Sequence, residues 1–123
     1  LKCMINLNEK VTSQMKNGAE VDLNQMAQSA GRASSLMKTL GHKDRLMILC
    51  HLADGEKSVG EIAGLLEISQ SPLSQHLSRM RKEGLVETRR EAQTIYYSLK
   101  SGEAARIVEV LYELFCASEN CTV

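Results

Sequence analysis

Four cysteines, Cys3, Cys50, Cys116 and Cys121, carry the most reactive side chains of this sequence. As thiolates they can attack oxidants and sulfane sulfur, or bind a soft metal ion. Cys50 stands in the apolar run Met47-Ile48-Leu49-Cys50-His51 and Cys116 in Leu114-Phe115-Cys116, whereas Cys3 and Cys121 lie near the two ends. Taken alone, Cys50 reads as a small buried hydrophobe. A catalytic use finds no support, because there is no Cys-x-x-Cys and His51 follows Cys50 directly, so on a helix the two side chains point about 100° apart. A second set of residues is polar and basic. Gln70, Ser71, Ser74 and Gln75 have short uncharged side chains able to hydrogen-bond base edges. Arg79, Arg81, Lys82, Arg89, Arg90 and Lys100 can neutralise phosphates.

The chain totals 123 residues, 43% apolar and 24% charged, enough for one compact domain. Lys plus Arg and Asp plus Glu both come to 15, which excludes a protein held to nucleic acid by bulk charge. The distribution is uneven: 8 basic against 8 acidic residues over 1–68, 6 against 3 over 69–100, and 1 against 4 over 101–123. The cationic surplus therefore coincides with the polar set. Aromatic residues make up 3% and Trp is absent, which argues against modules that stack single-stranded bases. No apolar run approaches the roughly 20 residues of a membrane span, and the start has no charged-then-apolar signal layout. A cytoplasmic protein with no membrane partner is expected, and in that compartment four cysteines are buried, metal-binding or redox-active rather than a disulfide framework.

The elements that position these residues follow from apolar spacing. Residues 1–18 show no sustained period and read as a mobile N-terminal arm, residues 19–117 as the folded domain, and 118–123 as a C-terminal tail. After Asp22, a candidate N-cap, Leu23, Met26, Ala27, Ala30, Ala33, Met37 and Leu40 recur at helical steps up to Gly41. A second helix over Lys43–Asp54 is apolar around much of its circumference and carries Cys50. Ser58 and Glu61 fit a capping box opening a short helix to about Glu67. The next helix, capped by Ser69 or Ser71 with Pro72 in its first turn, runs to Gly84. Its inward stripe is Leu73, Leu77 and Met80, which leaves Gln70, Ser71, Ser74, Gln75, Ser78, Arg79 and Lys82 on the open face or its flanks. His76 lies between the two, suited equally to helix packing and to a DNA contact. From Leu85 to Leu99 the period becomes two, with Arg89-Arg90-Glu91-Ala92-Gln93 as the tip of a two-stranded hairpin. A last helix spans Gly102 to about Cys116 through Ala105, Val108, Leu111, Leu114 and Phe115.

Two helices with a tight turn followed at once by a hairpin make a mainly α winged helix-turn-helix of about five helices and a two-stranded wing. Such a domain covers a half-site of double-stranded DNA, so a homodimer joined through the apolar first and last helices is expected. The expected contacts are Gln70, Ser71, Ser74, Gln75 and His76 toward bases, with Arg79, Arg89, Arg90 and Gln93 from the flank and wing.

The motif LSQHLSRMRKEGLVETRRE over 73–91 followed by IYYSL over 95–99 resembles the ArsR/SmtB-type dimeric repressors, and the likeness runs from about Leu36 to Cys116. The resemblance implies a bacterial repressor that leaves its operator when an inducer is sensed. Metal sensors of that family carry a Cys-x-Cys cluster beside the reading motif, or Asp/His and His/Glu ligands on the last helix. Residues 59–67 hold neither Cys nor His, and residues 101–123 hold no His, so neither usual metal site is expected and no cofactor is implied. Cys50 and Cys116 instead resemble the dithiol of the persulfide-responsive subgroup, in which persulfides or polysulfides bridge the two thiols through a chain of sulfur atoms. A longer chain spans gaps that an ordinary disulfide, with Cα atoms about 4.4 to 6.8 Å apart, cannot. The alternatives are an arsenite or soft-metal site that adds Cys3 or Cys121 to the pair, and, less in keeping with the pattern, a small thiol oxidoreductase.

Overall fold

The computed structural model describes residues 21–117. The expected arm, the tail, Cys3 and Cys121 lie outside the described residues. The order of elements is α1 (Leu23–Leu40), α2 (Lys43–Asp54), β1 (Lys57–Ser58), α3 (Val59–Leu66), α4 (Gln70–Lys82), β2 (Val86–Glu91), β3 (Thr94–Leu99) and α5 (Gly102–Tyr112), with a π-helical turn over Glu113–Ala117. Among the described residues two compact units are distinguished: residues 36–108, and residues 21–35 with 109–117.

Local chemistry sets the helix ends. Asp22 Oδ1 accepts from the Asn24 and Gln25 amides, filling two of the donors that a helix start leaves open on α1. His42 caps α2 with an imidazole in place of a hydroxyl or carboxylate: its Nδ1 accepts from the Asp44 amide at 3.1 Å. The capping box of α3 is complete, with Glu61 N donating to Ser58 Oγ and Ser58 N donating to Glu61 Oε1. Ser69, not Ser71, is the N-cap of α4, without a side-chain bond. Pro72 is then the third helical residue, where its missing N–H removes no intrahelical bond. Gly84, at φ 79°, turns the chain out of α4 in the left-handed region that a Cβ disfavours.

The core of the 36–108 unit is continuous. Ile48, Leu49 and Leu52 of α2, Ile62 of α3, and Leu73, Leu77 and Met80 of α4 meet Leu40, Leu85, Val86, Ala104 and Val108. Seven of these, Ile48, Leu49, Ile62, Leu73, Leu77, Met80 and Ala104, have no exposed surface. The stripe read for α4 is thus its buried face. One polar residue joins this interior. Thr39 Oγ1 donates to Glu83 Oε1, Arg79 Nε donates to Glu83 Oε2 at 3.2 Å, and Arg45 Nε donates to the Thr39 carbonyl at 2.8 Å. That network ties the end of α1 and the start of α2 to the end of α4.

Several expectations need correction. The wing belongs to a three-stranded antiparallel sheet in the order β1-β3-β2, because Lys57 and Ser58 pair with Tyr97 and Tyr96. A two-residue strand has no periodicity to read. The hairpin tip is Ala92-Gln93 alone, since Arg89, Arg90 and Glu91 are paired in β2 opposite Tyr96, Ile95 and Thr94. The last helix stops at Tyr112 and widens into the π turn, and Ala104 rather than Ala105 faces the core.

In the unit made from the chain ends, the stripe of α1 stays open. Leu23 is 75% exposed and Met26 52%. Past Val108 the same holds for Tyr112 at 62% and Phe115 at 74%.

Ala92, first of the two turn residues, sits at φ 57°. A left-handed conformation costs an L residue about 1–2 kcal/mol, whereas glycine adopts it freely at a smaller entropic cost. Ala92→Gly is therefore expected to raise stability by about 0.5–1 kcal/mol. The midpoint of urea unfolding checks this, and an unchanged or lower midpoint would show that the alanine turn is unstrained.

Candidate nucleic-acid interface and thiols

With Leu73, Leu77 and Met80 held inside, α4 presents Gln70, Ser71, Ser74, Gln75, Ser78, Arg79 and Lys82 to solvent. Ser74, Gln75, Ser78, Arg79, Lys82 and Glu83 line a shallow open hollow. The uncharged donors and acceptors therefore form one strip, with cations at its C-terminal end. Arg79 is partly committed to Glu83. Arg81 and Lys82 are exposed in the same last turn.

The wing arginines differ from each other. Arg89 Nε donates to Glu56 Oε2 at 2.7 Å and its Nη1 to Glu91 Oε2 at 2.8 Å, and its guanidinium lies 4.7 Å from the Tyr96 ring centroid. The Glu56 bond first, then the Glu91 bond, push the Arg89 pKa upward. Its charge is already balanced within the protein, and it braces the sheet against the α2–β1 loop. Arg90 Nε donates to the Ala92 carbonyl at 3.2 Å, a bond that leaves its charge unspent and steadies the turn. Gln93 is exposed at the tip. Partners 33 residues apart, such as Arg89 and Glu56, leave no local sequence signal.

His76 is half-buried at the N-terminal side of this face, its ring tilted 57° against that of His42 with centroids 4.6 Å apart. Burial first, then the neighbouring His42, Arg45 and Arg79, lower its pKa, opposed by Asp44. The imidazole is thus neutral near pH 7 and packs between α4 and the start of α2. Unfolded, it titrates near its ordinary value, so the unfolded chain takes up the proton first as pH falls. This part of the stability is full above about pH 6.5 and declines below it. Urea midpoints should therefore fall more steeply below about pH 6.5 in the wild type than in His76→Gln. Equal slopes would assign the acid sensitivity to another group.

The thiols occupy different surroundings. Cys50 is half-buried on α2, packed against the core cluster formed by Ile48, Leu49 and the α4 stripe. Cys116 is exposed in the π turn that ends α5. π turns interrupt regular helical bonding and recur at functional sites.

Residues 42–88 match the family model described as bacterial regulatory protein, arsR family. The chain is 48% identical over 103 residues to the transcriptional activator HlyU of Vibrio cholerae, covering 84% of this chain and 95% of that protein. The solved structure of reduced HlyU from the same organism superposes with a TM-score of 0.71 at 48% identity, covering 75% of this chain and 97% of that one. The transcriptional repressor BigR from Xylella fastidiosa superposes with a TM-score of 0.74 at 43% identity, covering 78% and 98%. Among the described residues, no helix is long and apolar enough to cross a membrane.

Proposed function

As the chain belongs to the arsR family of bacterial regulatory proteins, we propose that it is a repressor that binds operator DNA as a homodimer and releases it when polysulfide bridges Cys50 and Cys116. The observation that carries this reading is the placement of Cys50: its helix shares a core with Leu73, Leu77 and Met80, the residues that seat the reading face of α4. A change at Cys50 therefore bears on the helix that meets the bases. The relative BigR is named a repressor and HlyU an activator, and a structure of HlyU is described as reduced, a distinction that fits a redox-active group.

The two thiols and a polysulfide as oxidant suffice for the bridge. One thiolate attacks a sulfane sulfur of a polysulfide, an S–S bond breaks, and the shorter polysulfide anion leaves. The second thiolate then displaces a further sulfide or polysulfide anion, so the two cysteines are oxidised to a bridged pair and the polysulfide is reduced. The open apolar residues Leu23 and Met26 of α1 and Tyr112 and Phe115 near the end of α5 supply surface for a second copy.

Sedimentation equilibrium of the reduced protein, followed by titration of a site enriched from a randomised DNA pool, tests the first half of this reading. A particle of twice the 13.6 kDa chain mass that binds one such site, with affinity falling steeply as salt rises, is expected. A monomer, or binding indifferent to both sequence and salt, would overturn it.

A further inference from the structure

Three nitrogen and oxygen ligands converge where α2 meets α4. Among the described residues, His42, Asp44 and His76 each offer one ligand atom, and these atoms lie within 4.8 Å of one another. The His42 Nδ1 accepts from the Asp44 amide at 3.1 Å, so the ring lone pair lies at Nδ1 with the proton on Nε2, and Nδ1 is the atom that an ion takes over from the amide. Each of the three side chains also answers to a separate structural constraint: His42 caps α2, Asp44 stands in its first turn, and His76 is packed against His42.

We propose that His42, Asp44 and His76 form a binding site for a borderline divalent transition-metal ion such as Zn²⁺ or Ni²⁺, with water completing the shell. Two imidazoles and one carboxylate suit such ions, whereas Mg²⁺ and Ca²⁺ demand oxygen ligands and soft ions prefer thiolates. The ligand atoms must draw together by rotamer adjustment to reach the usual 2.0–2.2 Å bonds. Arg45 and Arg79 nearby oppose the ion's charge and limit its affinity. A bound ion clamps the start of α2 to α4, beside Gln75 and the Arg79–Glu83 pair. The site is separate from the cysteines, and it stands whether or not they respond to sulfur.

The test is isothermal titration calorimetry with ZnCl₂ and, separately, NiCl₂, on the reduced full chain and on a variant in which all four cysteines are Ser. His42→Asn, Asp44→Asn and His76→Gln are then made in the cysteine-free chain. His42→Asn keeps a capping side chain for α2, so loss of binding there is not loss of the helix. One ion per chain in both parent proteins, weakened at least about tenfold by each of the three substitutions, is expected. A visible spectrum of the Co²⁺ form without thiolate charge-transfer bands is expected as well. Binding that vanishes with the cysteines, that survives His76→Gln and His42→Asn unchanged, or that is absent from the parent would overturn the assignment.

Discussion

Cys50→Ser and Cys116→Ser are each expected to leave reduced-state DNA affinity within about twofold of the wild type while abolishing release by polysulfide. Coupling between an effector and a binding site is commonly worth 1–3 kcal/mol, so wild-type affinity should fall about 5- to 150-fold on treatment, and neither variant should move. The two thiols sit in different surroundings. Cys50 touches the core that seats α4, and a Ser there keeps nearly the same volume at the cost of a hydroxyl in a half-buried apolar setting. Cys116 is exposed, so its replacement should leave folding unchanged. Fluorescence anisotropy with labelled operator, before and after inorganic tetrasulfide, reads both numbers. A variant that still releases DNA would remove that cysteine from the bridge. A variant that fails to bind DNA when reduced would give it a structural role instead.

The second expected result separates base reading from phosphate attraction. Gln75 is exposed on the uncharged strip of α4, and a Gln that pairs with an adenine contributes about 1–3 kcal/mol of discrimination. Gln75→Ala should therefore cut the preference for operator over random DNA by about 5- to 150-fold while barely changing the salt slope. Arg90→Ala should do the reverse, weakening all sequences alike and lowering the slope of log K against log salt by about one. Arg89→Ala should shift that slope less than Arg90→Ala does, because Glu56 and Glu91 already balance its charge. Titrations of operator and random duplexes over a range of salt concentrations check all three. A larger slope change for Arg89→Ala than for Arg90→Ala would mean that the Glu56 and Glu91 bonds open when DNA binds.

Much of the framework was legible because it is set locally. Asp22, Gly41 and Gly55 bound α1 and α2, the Ser58/Glu61 pair opens α3, and the three- and four-residue steps of Leu73, Leu77 and Met80 mark the buried side of α4. What escaped depends on partners distant in sequence or on elements too short for a period. The two residues of β1 acquire strand character only by pairing with β3. The Arg89–Glu56 bond joins residues 33 apart, and nothing near Arg89 announces it. His42 gave no sign that its ring would cap α2 and meet His76 across the fold. On α1, Leu23 and Met26 carry the same apolar spacing as a core stripe yet remain open. Periodicity reports which face is apolar and is silent on whether the chain itself covers it.

The central claim is the bridge between Cys50 and Cys116. Intact-protein mass spectrometry with peptide mapping tests it most directly, on reduced protein treated separately with inorganic tetrasulfide, hydrogen peroxide and arsenite. The account predicts a crosslinked Cys50–Cys116 peptide pair carrying one or more additional sulfur atoms, each adding about 32 Da, formed by tetrasulfide and not by the other two reagents. Tetrasulfide-treated protein without that crosslink, or a stable arsenite adduct on these cysteines in its place, would contradict it.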